Sequence, residues 1–420
     1  MEDLTESLYS KFLLSDGVSI DTRTIEKGNL FFSISGPNFN ANKFVEQALE
    51  KGASFAVVDD EEFAKDDRTI LVEDGLQALQ DLAKFHRSKF TGPVLGITGS
   101  NGKTTTKELI AKVLDQKYVV HATKGNYNNH IGVPLTLLHI KPEVEIAIIE
   151  MGANHVGEIA SYCEIARPTH GLITNIGRAH TETFGGIEGV IRGKSELFDF
   201  LRKNEASAFI NMSDRVLANM SKRFSDPIKY PPDDLKLVGS APFLEIRLGS
   251  KQSATKLTGK YNFANIAAAV AVGRFFEVDD TQILNAITAY QPDNGRSQII
   301  TQGNATIILD AYNANPDSMK VALENLADYK GKKLAVLGDM NELANPNEAH
   351  TEILEYAKKL NIDEVLTVGD KIGKVANPTN HSKTKKDLEK RLSKMNFSET
   401  TVLLKASRSI KLETTLNSIK

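Results

Sequence analysis

Gly96-Ile-Thr-Gly-Ser-Asn-Gly-Lys-Thr-Thr-Thr, residues 96–106, decides how the chain folds. An apolar run at 94–98 leads into it and a helical period at 105–114 leads out, so a strand, a glycine-rich turn and a helix follow one another directly. Gly99 and Gly102 let backbone N–H groups approach phosphate oxygens, and the opening turn of the helix adds the positive end of its dipole. Lys103 would reach the β- and γ-phosphates, and the Thr104 hydroxyl would ligate magnesium. The commoner spacing places glycine at position 97, where this chain has Ile; Gly96 comes one residue early. The strand, turn, Lys-Thr and helix in succession still read as a phosphate-binding loop rather than a structural turn.

Outward from the loop, short apolar runs alternate with helical periods at 94–98, 105–114, 145–149 and 171–175. That rhythm predicts a mainly parallel sheet with helices on both faces, beginning after Thr91-Gly-Pro. Prolines at 227, 231, 232 and 242 break it over 222–258, an irregular strand-rich elaboration. Ala and Ile at helical spacing resume over 262–276, with Asn262 placed to cap that helix. Before position 91, strands at 30–33 and 54–58, helices at 43–51 and 76–86, and an exposed Ser35-Gly-Pro-Asn-Phe-Asn loop predict a small α/β unit. Beyond Gln291-Pro-Asp-Asn-Gly, strand-like runs at 306–309, 333–337, 364–368 and 401–404 predict another. The expected architecture is α/β throughout, in three domains at 1–90, 91–291 and 292–420.

Length and composition agree. At 420 residues the chain can hold about three domains with real cores. Apolar residues at 41% and charged residues at 25% exclude a wholly disordered chain. The net charge of −3 gives no basic field for nucleic acid. A single cysteine, Cys163, allows neither an internal disulfide nor a paired-cysteine metal site, and reads as a small apolar filler. The opening residues are acidic and lack an apolar core, and no stretch is long and apolar enough to span a membrane. A soluble, cytoplasmic protein with no nucleic-acid or membrane partner is expected.

Five further positions are weighed for chemistry. Glu150 ends the apolar run of Ala147-Ile-Ile-Glu-Met-Gly-Ala-Asn-His, at the strand end where α/β sheets collect ligands. It would ligate magnesium opposite the phosphate loop; alone, it equally suits a helix cap or an ion pair. His180 lies in the glycine-flanked loop Asn175-Ile-Gly-Arg-Ala-His, where metal binding and a satisfied surface histidine are both open. Asp310 ends a third-unit strand before Asn-Pro-Asp-Ser and suits either a ribose hydroxyl or a turn. Arg296, in the linker, would clamp a γ-phosphate or pair with a carboxylate. Lys194 sits on a helix with an apolar stripe at Val190, Leu197, Phe198 and Leu201; read alone, it is a solvated helical lysine.

Together these segments resemble the Mur ligase family, and the resemblance spans the chain. It rests on Asp21-Thr-Arg, Gly28-Asn-Leu-Phe-Phe, Gly36-Pro-Asn-Phe-Asn, the 98–104 loop with its unusual glycine spacing, Asn126-Tyr-Asn-Asn-His-Ile-Gly-Val-Pro, Glu150-Met-Gly-Ala-Asn-His, Asp310-Ala-Tyr-Asn-Ala-Asn-Pro-Asp-Ser-Met and Leu337-Gly-Asp-Met-Asn-Glu-Leu. It implies a UDP-sugar-binding first unit, an ATP-binding P-loop-like second unit and a Rossmann-like acceptor-binding third unit. It also implies ATP with two magnesium ions and a carbamylated lysine at Lys194, with Thr104, Glu150 and His180 as the other metal-side residues. Around the nucleotide it places Thr98, Gly99, Ser100, Asn101, Gly102, Lys103, Thr104 and Thr105, the paired Asn262 and Asn265 near adenine, Arg296 at the γ-phosphate and Asp310 at the ribose. Catalysis falls to Lys103, His180, Lys194 and Arg296. Substrate contacts fall to Thr22, Arg23, Asn38, Phe39, Asn40, Asn128, Asn129, Tyr312, Asn313 and Asn315. The chain departs from the family pattern at Ala344 and Ala406, where glycine is usual.

The implied reaction joins a carboxylate to an amine through an acyl phosphate. The segments that single out one member imply UDP-N-acetylmuramoyl-tripeptide as donor and D-alanyl-D-alanine as acceptor, in peptidoglycan precursor synthesis, by a monomer. A P-loop kinase would keep the phosphate on its acceptor, and a bare nucleotide-binding module would lack Glu150, His180 and Lys194. A folylpolyglutamate-type ligase shares the ATP unit; the first unit argues against it.

Overall fold

The computed structural model describes residues 4–65 and 67–419, so the first three residues of the acidic opening stretch lie outside the described residues. Val94–Thr98 is buried along its length near the middle of a six-stranded parallel sheet. The strand order across that sheet is Ile228–Tyr230, Ser207–Asn211, His170–Ile173, Val94–Thr98, Ile146–Glu150 and Val120–Ala122. Alternate residues serve opposite faces. Leu95, Ile97, Ile148 and Leu172 share a core with residues of the helices Lys103–Leu114 and Asn262–Phe275. Val94, Ala147, Ile149 and Ile173 share another with Glu158–Ala166 and Ile187–Lys203. Coverage of both faces is why these strands read as continuous apolar runs. The chain lays later strands on both sides of Val94–Thr98, so the sheet has its switch point at that strand's C-terminal end, where a ligand crevice belongs.

The first unit is a four-stranded parallel sheet in chain order, Val18–Ser19, Leu30–Phe32, Phe55–Val58 and Thr69–Leu71. Its helix Gly75–Lys89 packs against Gly132–Leu138 and Glu158–Ala166, which joins this unit's core to that of the central unit. The proline-broken segment contains a three-stranded antiparallel sheet, Leu235–Gly239, Glu245–Leu248 and Lys251–Ala254.

The third unit has the strand order Gln298–Gln302, Ala305–Leu309, Thr400–Lys405, Lys332–Gly338, Glu364–Val368 and His381–Ser382. The first pair is antiparallel and the rest are parallel. Four of these strands match the apolar runs; the two edge strands escape them because Gln298–Gln302 is only half-buried and His381–Ser382 is two residues long. Helices Pro316–Ala327 and Pro346–Lys358 cover one face, and Lys385–Leu392 with the 3-10 turn Leu412–Ser418 covers the other.

One local expectation is overturned. Asn262 does not cap the helix Asn262–Phe275; it is the first helical residue, and its Nδ2 donates backwards to Thr258 O at 2.7 Å. Tyr261 already has helical dihedrals after a turn at Gly259, so there is no extended residue to cap from. Among the described residues no helix is long and apolar enough to cross a membrane.

Candidate active site

The loop after Val94–Thr98 turns through Gly99 at φ +144° and Gly102 at φ +79°. A Cβ at Gly99 would lie 2.0 Å from Thr174 Oγ1, and one at Gly102 would lie 2.7 Å from Asn265 Oδ1. Conformation and space therefore both require glycine. The helix Lys103–Leu114 starts with no side-chain cap on its first turn, which leaves that end open to an anion. Half-buried Lys103 curls back so that Nζ donates to Gly99 O at 2.7 Å. Burial pulls its pKa down to about 8, against the pull of Glu150 and with a smaller push from Arg296. Thr98 faces away: it is buried, and Oγ1 donates to Met151 O at 2.7 Å.

Glu150 is 1% exposed. Its Oε1 accepts from Asn128 Nδ2 at 2.8 Å and from Thr104 Oγ1 at 3.2 Å, while Oε2 has no hydrogen-bond partner and stands 4.0 Å from Lys107 Nζ. A buried carboxylate oxygen without a hydrogen bond is costly, so this one is poised for a cation. Paired with the Thr104 hydroxyl it offers the hard oxygens magnesium takes. Among the described residues no group of three or more His, Cys, Asp or Glu side chains could hold a metal. A magnesium ion here would complete its shell from water and phosphate, as that ion commonly does.

His180 is held at φ +57°, and its Nδ1 lies 2.8 Å from Glu342 Oε2 of the third unit. The contact draws the Glu342 carboxyl below its ordinary range. Lys194 is not a solvated helical lysine. It is 1% exposed, its Nζ donates to Ala153 O at 3.1 Å and lies 5.2 Å from the Phe184 ring centroid. Burial, with repulsion from Lys103, holds its pKa well below the usual value. Cys163 is a buried free thiol against Met151, as an apolar filler should be.

The third unit supplies the opposite wall. Asp310 Oδ2 accepts from Lys405 Nζ at 2.6 Å, and Lys405 is 2% exposed. The Arg296 guanidinium lies 3.6 Å from the Tyr312 ring centroid, with Nε buried and without a hydrogen-bond partner. Asn315 caps Pro316–Ala327 and reaches across the cleft to donate from Nδ2 to Asn101 Oδ1 at 2.7 Å. Asn262, Asn265 and Thr106 form a chain: Asn265 Nδ2 donates to Asn262 Oδ1, and Thr106 Oγ1 donates to Asn265 Oδ1.

These walls enclose a cleft of about 770 Å³. It gathers residues 100–105, Asn128, Asn129, Glu150, His180, Asn262, Asn265, Arg296, Asp310, Tyr312, Asn313 and Asn315. Asn129 is also a turn former, since its Oδ1 accepts from Gly132 N at 2.8 Å. Lys194 sits beneath the cleft floor at Ala153. Thr22, Arg23, Asn38, Phe39 and Asn40 do not line the cleft; they belong to the first unit. There Arg23 pairs with Asp21, Phe39 stacks on Phe44 with centroids 5.6 Å apart, and Asn40 caps the short turn Ala41–Phe44. Sequence reasoning passed over Lys405, Tyr261 and Asp317, which also line the cleft. Asp317 stood in the quoted Asn-Pro-Asp-Ser run, and Lys405 ends an apolar run just as Glu150 does.

A glycine-rich loop between a buried strand and a helix, facing a second α/β unit across a polar cleft, is an arrangement that suits an ATP-dependent ligase. The chain belongs to the Mur ligase family: the family's catalytic-domain model matches residues 15–87, its middle-domain model 97–273 and its glutamate ligase domain model 295–408. It is 36% identical to the UDP-N-acetylmuramoyl-tripeptide–D-alanyl-D-alanine ligase of Bacillus subtilis (strain 168), over 94% of this chain and 91% of that one. Among solved structures it is similar to the MurF ligase of Thermotoga maritima in complex with ADP (28% identity, TM-score 0.84, covering 100% of this chain and 98% of that one). It is equally similar to MurF from Acinetobacter baumannii (27% identity, TM-score 0.84, covering 99% and 98%).

Proposed function

We infer that the chain uses ATP to join D-alanyl-D-alanine to UDP-N-acetylmuramoyl-tripeptide, in cytoplasmic peptidoglycan precursor synthesis, and that it acts as a monomer. The observation that carries this reading is the cleft in which the phosphate loop, the Glu150 oxygen that lacks a hydrogen bond and the third-unit wall meet, in a chain similar over 94% of its length to a ligase of that name.

The three domains, 1–90, 91–291 and 292–420, then hold UDP-sugar, ATP and acceptor respectively. Thr22, Arg23, Asn38, Phe39 and Asn40 serve the UDP-sugar end of the donor. Loop N–H groups and Lys103 hold the β- and γ-phosphates, Asn262 and Asn265 border the adenine, and Asp310 takes the ribose. Magnesium, with Thr104 and Glu150 for one ion and His180 and a carbamylated Lys194 for a second, would neutralise charge on the phosphates and donor. Arg296 steadies the γ-phosphate as the donor carboxylate attacks phosphorus and ADP departs. Asn128, Asn129, Tyr312, Asn313 and Asn315 orient donor and dipeptide so that the dipeptide amine meets the acyl carbon and phosphate leaves. No covalent enzyme intermediate is needed; positioning and electrostatics carry the rate. Burial of Lys194 supports its modification: a depressed pKa leaves more neutral amine, which adds to carbon dioxide to give a carbamate and a proton.

Phosphate release tests the reading. It should require ATP, the UDP-tripeptide and D-alanyl-D-alanine together. Efficient ligation of free L-glutamate or L-lysine with no dipeptide activity would overturn it.

A further inference from the structure

Arg178 lies two residues before His180, on the loop that follows the strand His170–Ile173. That loop is fastened to the phosphate loop. Ser100 Oγ donates to Gly177 O at 2.9 Å and accepts from Gly177 N at 2.9 Å, and Asn175 Nδ2 donates to Asn101 O at 2.9 Å. From this joined pair of loops Arg178 reaches into the third unit. Its backbone N–H donates to Asp317 Oδ2 at 2.7 Å, and Nε and Nη2 donate to Asp317 Oδ1 at 2.9 and 2.8 Å. Nη1 and Nη2 donate to Glu352 Oε2 and Oε1 at 2.8 and 3.2 Å. Asp317 opens the helix Pro316–Ala327, whose cap Asn315 holds Asn101, and Glu352 lies on Pro346–Lys358, where Lys320 also pairs with it. One guanidinium thus ties two third-unit helices to the loop that carries His180.

We propose that Arg178 is a positioning residue that docks the third unit over the nucleotide site and fixes the His180 loop as it does so. This rests on the ligase reading of the cleft. Two physical points separate it from an ordinary surface ion pair. A fork that makes four hydrogen bonds to two carboxylates, beside a fifth from the Arg178 backbone N–H, constrains orientation as well as distance, which a single exposed pair does not. Asp317 also lines the cleft, so without Arg178 its carboxylate would face the negative charge of a bound triphosphate unneutralised. Because the Arg178 side chain is 37% exposed, its pairs contribute little to global stability. The consequence falls on docking.

The test uses the full-length enzyme. In Arg178→Ala, kcat at saturating ATP, donor and dipeptide should fall tenfold or more, while the dissociation constant for ADP changes less than threefold and the melting temperature holds. Scattering with a non-hydrolysable ATP analogue plus donor should show wild type becoming more compact than Arg178→Ala. Arg178→Lys, a charge without a fork, should recover part of the rate. Adding Glu352→Gln to Arg178→Ala should cost no further rate. A kcat within twofold of wild type, a rate loss matched by lost melting temperature, or identical scattering of the two proteins would overturn the proposal. If wild type itself fails to ligate the dipeptide, the ligase reading falls instead, so the two failures are distinguishable.

Discussion

Replacing Lys194 with methionine should move activity and stability in opposite directions. The ammonium is 1% exposed, with Ala153 O as its hydrogen-bond acceptor and no carboxylate paired to it among the described residues. Its pKa is held well below the ordinary value, first by burial and then by Lys103. Each unit of that depression opposes folding by about 1.4 kcal/mol. The unfolded chain binds this proton more tightly than the folded one, so the residue's contribution to stability rises with pH. The penalty is complete below the folded pKa and fades as pH climbs towards the unfolded value near ~10.4. Methionine fills a similar volume without charge. In buffer purged of carbon dioxide, Lys194→Met should therefore melt above wild type at neutral and acid pH, and the gap should close towards pH ~10.

Turnover should go the other way. Without the amine there is no carbamate, and loss of one preorganised electrostatic contact in a transition state costs about 10²–10³-fold, or about 2.7–4 kcal/mol. The assay is phosphate release at saturating ATP, donor and dipeptide, with bicarbonate removed and then restored, alongside thermal melts. Wild type should respond to bicarbonate and Lys194→Met should not; Lys194→Ala should regain part of its rate with added short-chain carboxylates. A methionine variant within threefold of wild-type turnover would refute the carbamate argument. So would one that loses rate and melting temperature together, since that is the behaviour of a structural lysine.

Three further outcomes follow from single groups. With its pKa near 8, Lys103 loses its proton as pH rises through that value, so kcat/KM for ATP should fall above about pH 8 while kcat, measured with phosphates bound, holds to higher pH; a flat kcat/KM profile to pH ~9.5 would contradict it. Gly102→Ala forces a side chain to φ +79° and 2.7 Å from Asn265 Oδ1, so calorimetry should show lost ADP binding and denaturant melts a loss of about 1–2 kcal/mol. Lys405→Met strands the Asp310 carboxylate, a loss of about 3 kcal/mol in denaturant melts, and adding Asp310→Asn should recover most of it.

What the sequence made legible was chemistry written in neighbouring residues. The loop at 96–106 carries its strand, glycines, lysine and helix in one run, and the structure differs mainly in starting the helix at Lys103, two residues before the apolar period. Glu150 was legible because it closes an apolar run, and in the structure it ends the buried strand Ile146–Glu150, where α/β sheets collect ligands. Lys194 carried a signal that helical averages obscured. It lies four residues after Val190 and four before Phe198, on the same stripe as Leu197 and Leu201, and all four apolar residues are fully buried. Position on the stripe, rather than residue type, foretold its burial.

The third-unit contacts had no local signal to read. Asp310 and Lys405 are 95 positions apart and meet because Ala305–Leu309 and Thr400–Lys405 are adjacent parallel strands. Asn101 and Asn315 are 214 apart, and Arg178 and Asp317 are 139 apart. Asn313, Asn315 and Asp317 look in sequence like turn formers, and Asn315 does cap its helix. The same cap also bonds Asn101 on the phosphate loop, and the aspartate two residues on holds Arg178. The first turn of Pro316–Ala327 is thus both a helix start and a docking surface. Each half of the cleft is encoded locally, whereas the cleft itself exists only while the two halves are held together.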